Sequence, residues 1–177
     1  LRPGRPRAEG LRLFTARGGT GNTEFNRHAS LKCGDGTMVF GGMDGLTVFH
    51  PDAIRDNPFV PPIRLTGISV SSRAGTRTIE PGSVDRLTLQ PGDTSIAFQF
   101  AALSFTSPRR NRYAYRMEGF DPGWIDAGHR RTTRYTNLPP GRLRFRVKGS
   151  NNDGVWNEDG AFVDPVVVQL AADRPAD

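Results

Sequence analysis

What this sequence lacks narrows it first. Its 177 residues contain one cysteine, Cys33, which excludes an internal disulfide and reads as a small residue in a strand. The three histidines, His28, His50 and His129, show no ligand spacing and have no cysteine pair beside them, so no metal site is expected. No apolar run reaches the roughly 18 residues of a membrane helix. The opening LRPGRPRAEG lacks the apolar stretch of a signal peptide. No segment has helical periodicity, and no G-x-S-x-G or comparable nucleophile motif occurs. Gly18-Gly19 and Gly41-Gly42 precede no helix and so make no phosphate loop. Asp121 and Asp126 are close in sequence, but Asp121 stands before Pro122-Gly123 and reads as a turn residue. No catalytic residue, cofactor or enzyme activity is expected.

Lysine is also scarce. Of 24 basic residues only Lys32 and Lys148 are lysine, against 18 acidic residues, for a formal charge of +6 and a pI near 10.4. That balance admits nucleic acid, acidic polysaccharide or an anionic membrane surface as a partner. What is plentiful is punctuation: 21 glycines and 14 prolines separate short apolar runs, the pattern of an all-β chain with many turns.

Residues 1–10 are rich in Arg, Pro and Gly and are expected to be poorly ordered. Over 11–51 four short strands are expected: Leu11–Ala16, Ala29–Cys33, Thr37–Phe40 and the LTVF run ending at Phe49. Tight turns at Asp35-Gly36 and at GGMDG join the later ones. Four strands in about 40 residues make one propeller blade. Residues 52–62 form a Pro-rich linker stiffened by Pro58, Pro61 and Pro62. From 63 to 171 the reading is an immunoglobulin- or fibronectin-III-like sandwich of seven or eight strands. Its strands are Ile63–Ser71, with a bend or bulge at Gly67, then Leu87–Leu89, Ile96–Leu103, Tyr113–Met117, Arg131–Tyr135, Leu143–Val147 and Val166–Leu170. Residues 172–177 are a tail.

Two resemblances follow from particular residues. EFNRHASLKCGDGTMVFGGMDGLTVFHPDAI resembles the last repeat of a two-component regulator propeller, with Phe40, Gly41, Gly42, Phe49 and Pro51 among the matching positions. One blade cannot bury its own faces, so the rest of the propeller is expected upstream of Leu1. YAYRMEGFDPGW and RYTNLPPGRLRFRVKGSNNDGVW resemble the three-Y (Y_Y_Y) domain. The signature falls on Tyr115, Gly119, Trp124, Tyr135, Asn151 and Trp156, with Leu143 where a third tyrosine is usual. Leucine there fills the space without the tyrosine's hydrogen bond, at a cost of about 1 kcal/mol.

These resemblances imply a non-catalytic module from the extracytoplasmic, periplasmic sensor of a two-component regulator. They imply a second copy of the sandwich and the remaining propeller as partners. A carbohydrate signal would bind elsewhere in the parent, and a membrane would be met only through a segment outside this chain. The chain itself closes on the polar LAADRPAD.

The competing reading is a glycan- or nucleic-acid-binding sandwich. Arg142, Arg144, Arg146 and Lys148 alternate along one strand, and Arg112 and Arg116 along another. If neighbours, the strands present one basic face, solvated and relieved by nearby acids. That face is read as carrying no aromatic residues, which argues against nucleic acid. Trp124 and Trp156 are expected to cover the sandwich core beside turns.

Overall fold

The computed structural model describes residues 24–83 and 86–169. The segment 1–10, the strand expected at Leu11–Ala16 and the tail 172–177 lie outside the described residues. The chain divides into two compact units, up to Asp56 and from Asn57 onward.

In the first unit β1 (Phe25–Lys32), β2 (Met38–Gly42) and β3 (Gly45–Phe49) form an antiparallel sheet in the order β1-β2-β3. The turn between β1 and β2 is set by Asp35. Its carboxylate accepts from the Thr37 amide at 2.9 Å and from the Thr37 hydroxyl at 3.0 Å, and these bonds hold its pKa below the usual value. Gly36 follows at φ +91°, where a side chain would be strained. Cys33 sits at the base of this turn, one residue beyond β1, rather than in the strand. Phe40 stacks on Phe49 and meets Phe25 edge-on, both at 5.9 Å between centroids. No described strand residue of this unit is fully buried, and Leu31, Leu46 and Val48 are exposed.

Among the described residues the second unit has nine strands in two sheets. β4 (Ile63–Ser72), β5 (Gly75–Ile79), β7 (Asp93–Ala102) and β10 (Thr132–Thr136) form one, ordered β10-β7-β4-β5. β6 (Leu87–Leu89), β8 (Tyr113–Glu118), β9 (Ile125–Gly128), β11 (Gly141–Ser150) and β12 (Trp156–Val168) form the other, ordered β6-β12-β11-β8-β9. Alternation aims Ile96, Phe98 and Phe100 of β7 at Tyr113, Tyr115 and Met117 of β8 and at Leu143, Phe145 and Val147 of β11. The Phe98 and Phe145 rings stack at 3.9 Å in the centre of this core, and both are fully buried. The β4–β7 register slips between Leu65 and Gly67, so the expected bulge is present. β5 and β9 are additional to the expected strands, and β12 begins ten residues before Val166.

An ion pair joins β5 to the start of β7 in the four-stranded sheet. The two terminal guanidinium nitrogens of Arg77 donate to Asp93, at 2.7 and 2.6 Å, and the Gln90 backbone N–H adds a third bond at 2.8 Å. The arginine foremost holds the Asp93 pKa below the usual carboxylate value. A carboxyl with a depressed folded-state pKa adds stability that is fully present above its unfolded pKa of about 3.9 and is lost as pH falls through the folded value. Asp93→Asn is therefore expected to lower stability at pH 7 and to flatten the acid limb below about pH 4. Urea midpoints measured from pH 2 to 7 check this, and parallel acid limbs would refute it.

Candidate functional site

The outer face of the five-stranded sheet gathers most of the chain's chemistry. β8 and β11 are neighbours, with Arg146 opposite Arg116 and Arg144 opposite Glu118. Like charges directly opposed destabilise a sheet, and two devices offset this pair. First, Arg116 bonds Glu118, and Arg146 and Arg144 approach the same carboxylate at 3.4 and 3.8 Å. Second, the Trp124 ring lies against the cations, 4.9 Å from the Arg116 guanidinium carbon, 4.9 Å from Lys148 Nζ and 5.7 Å from the Arg146 guanidinium carbon.

The ladder continues on both sides. Lys148 donates to Glu158 at 2.7 Å and lies 5.5 Å from the Trp156 ring. Arg144 bonds Asp164, which Arg142 approaches at 3.9 Å. Phe162, paired across the ladder with Arg146, shares its face and is 65% exposed. Arg112 pairs instead with Asp126 at 2.9 Å. Bonding from the Gly128 amide, then that arginine, holds the Asp126 carboxyl below the usual range.

Five of the six expected basic residues thus meet on one face and Arg112 lies beside them, with acidic relief as expected. The tryptophans differ from expectation. Trp124 is 36% exposed and belongs, with Trp156, to this outer ladder rather than to a lid on the core. The face expected to lack aromatics carries three. Trp124 stands in the β8–β9 turn, where strand alternation assigns no face, and Glu118, Glu158 and Asp164 are remote from most of their partners in sequence.

Other signature positions are internal. Tyr115, Tyr135, Leu143 and Asn151 are buried. Gly119, at φ +91°, lets its backbone pass the Leu143 side chain, whose Cδ2 would lie 2.8 Å from an added Cβ. A tyrosine hydroxyl bond back to the chain is made by Tyr135, which donates to Asp121 Oδ2 at 2.5 Å. Burial and that carboxylate push the phenol pKa well up. Asp121 also accepts from the Met117 amide at 2.6 Å. It is a turn residue, as read, but one that locks the turn to β10.

Asn151 ties the incoming chain to the β11–β12 hairpin. Its Nδ2 donates to the carbonyls of Asn57 and Phe59 at 2.7 and 2.8 Å, and its Oδ1 accepts from the amides of Asp153 and Val155 at 2.9 and 3.0 Å. Asn157 repeats the device, donating to the Pro61 carbonyl at 2.9 Å. An open cleft of about 360 Å³ is lined in part by Gln90, Asp93, Tyr135 and Asn137. Its two ionisable side chains are already committed, Asp93 to Arg77 and Tyr135 to Asp121.

Residues 104–168, which include β8 to β12, match the Y_Y_Y domain. Histidine kinase P4 of Formosa agariphila is 28% identical over 164 residues, 89% of this chain and 12% of the kinase. An extracellular domain assigned to a hybrid two-component system of B. thetaiotaomicron superposes with a TM-score of 0.67 at 23% identity, covering 81% of this chain and 20% of that one. A second such domain from the same organism gives 0.53 at 18% identity over 80% and 20%. The superpositions establish a shared fold. The chain spans about an eighth to a fifth of these relatives.

Proposed function

From the match of residues 104–168 to the Y_Y_Y domain, we propose that this chain is a non-catalytic signal-transmission module from the sensor region of a two-component-type regulator. The observation that carries this reading is the pair of asparagine ties. Asn151 and Asn157 bond the segment arriving at the sandwich to the hairpin whose second strand is the last among the described residues. β12 has 13 residues, about 40 Å at strand rise, and runs the length of the sheet. A displacement of residues 57–61 would therefore be imposed on a long, many-bonded element rather than lost in a loop.

Several features support the wider setting. Apolar residues left exposed on β1 and β3 suit a sheet that packs against further repeats, so residues 11–51 are read as the last blade of a propeller. The structural relatives are extracellular domains, and histidine kinase P4 is a kinase. Among the described residues no helix is long and apolar enough to cross a membrane. The likeness to those extracellular domains supports reading the module as lying outside the cytoplasm, with any membrane anchor supplied by another segment of its parent. Two sandwiches would pair, and a ligand bound elsewhere would shift their relative placement, a two-state equilibrium biased by differential binding.

The test is the gene itself, together with the association state. Several repeats upstream of Leu1, with a membrane helix and kinase-type domain downstream of Asp177, are expected. A reading frame that adds neither would remove the receptor mechanism. Residues 57–169 are expected to self-associate weakly in sedimentation velocity at high concentration. Strictly monomeric behaviour there and in the complete sensor would remove the dimer step.

A further inference from the structure

The cation–aromatic ladder holds more positive charge than its own carboxylates neutralise. Four guanidinium groups, Arg116, Arg142, Arg144 and Arg146, share two carboxylates, Glu118 and Asp164, in the ion pairs among the described residues. Lys148 and Glu158 balance separately. The excess is two charges, and its most accessible member is Arg142, with a side chain 72% exposed and its carboxylate 3.9 Å away. Arg116 Nε is buried without a hydrogen-bond partner. Beside this excess lie exposed ring surfaces on Trp124 and Phe162, and the Arg116, Arg146 and Lys148 cations pack against the Trp124 ring.

We propose that this face binds an acidic oligosaccharide, with hexuronate rings stacking on Trp124 and ring carboxylates received by the arginines. An apolar aromatic plane with a few fixed polar groups around it is how sites commonly orient small ligands. Guanidinium forks match carboxylates in geometry and charge. Charge complementarity selects this occupant over two others. A second copy docking by the same face would set like excess charges against each other, because a two-fold contact is self-complementary. A nucleic acid strand draws its affinity from many phosphates neutralised at once, whereas the excess of two charges here suits a short ligand carrying a few carboxylates. The sensor reading is not required for this proposal.

The chain offers a direct probe, because its two tryptophans, Trp124 and Trp156, both belong to this ladder. Tryptophan fluorescence of the 177-residue chain is titrated at low salt with tetragalacturonate, with its methyl ester (same rings, no charge) and with a dT oligonucleotide. Tetragalacturonate is expected to give a saturable change, about tenfold weaker for the ester and for Arg142→Gln. Trp124→Ala is expected to abolish it, and Trp124→Phe, which keeps a ring, to retain binding measured by calorimetry. No saturation by millimolar tetragalacturonate overturns the proposal. So does equal affinity for the ester, unaltered binding by Trp124→Ala, or tighter binding of the oligonucleotide. A ligand-free fluorescence change that tracks protein concentration and dimer formation, both lost in Trp124→Ala, would give the face to a second copy and equally overturn it.

Discussion

Asn151→Ala is expected to lower the free energy of unfolding by about 3 kcal/mol, on the basis of roughly 1 kcal/mol for each hydrogen bond lost and more for any group left buried and unpaired. Asn151 is 1% exposed and fills all of its principal bonding capacity. Two amide hydrogens hold the carbonyls of Asn57 and Phe59, and its oxygen holds the amides of Asp153 and Val155. Alanine frees four backbone groups at one point, and a methyl group offers none of them a partner. Urea denaturation followed by tryptophan fluorescence checks the size, and a loss under about 1 kcal/mol would show that water replaces the side chain. Asn151→Asp separates the two halves of the device. It keeps the acceptor for Asp153 and Val155 but faces Asn57 and Phe59 with oxygen. Amide exchange is expected to stay slow at Asp153 and Val155, while residues 57–61 become sensitive to protease. Unchanged protease resistance would remove the tie from the transmission route proposed above.

The sequence declared what depends on period and hid what depends on pairing. β4, β7, β8 and β11 were legible because one face of each is buried, so apolar residues fall on alternate positions. Gly67 was legible as a bulge because the apolar phase changes there. β5, GTRTI, and β9, IDAG, were missed because edge strands bury little and carry almost no pattern. β12 was read only from Val166 because two register shifts against β11 break its alternation, and Gly160 and Pro165 look like stops. The arginine ladder was legible from LRFRVK alone. Its character was not, since the ring that covers it comes from a turn and its acids come from β8 and from two separated positions on β12. Asn151 was visible as a signature position, but nothing local states that its partners lie more than 90 residues earlier.

Gly160→Ala is expected to be among the most damaging single-methyl changes in the chain. Between Val147 and Gly149, β11 advances two residues while β12 runs from Ala161 back to Asn157, so β12 carries two extra residues at this bulge. Gly160 turns the chain there at φ +63°, and its amide donates to Asn157 Oδ1 at 2.9 Å. A Cβ at this position would lie 2.1 Å from the Val147 carbonyl oxygen and 3.0 Å from its carbon. Both are backbone atoms of the neighbouring strand, so relief requires prising β11 from β12 rather than turning a side chain. Gly154 provides the matched control, with φ +82° and nothing within 4 Å of its added Cβ. Alanine at 154 meets only the left-handed backbone cost of about 1 kcal/mol, whereas alanine at 160 adds the clash and is expected to cost about 4 kcal/mol in total. Because Asn157 bonds both Gly160 and Pro61, the 160 variant should also loosen residues 57–61, and the 154 variant should not. Equal urea midpoints for the two variants would mean that the bulge yields easily, and β12 would then be too compliant to pass a displacement along its length.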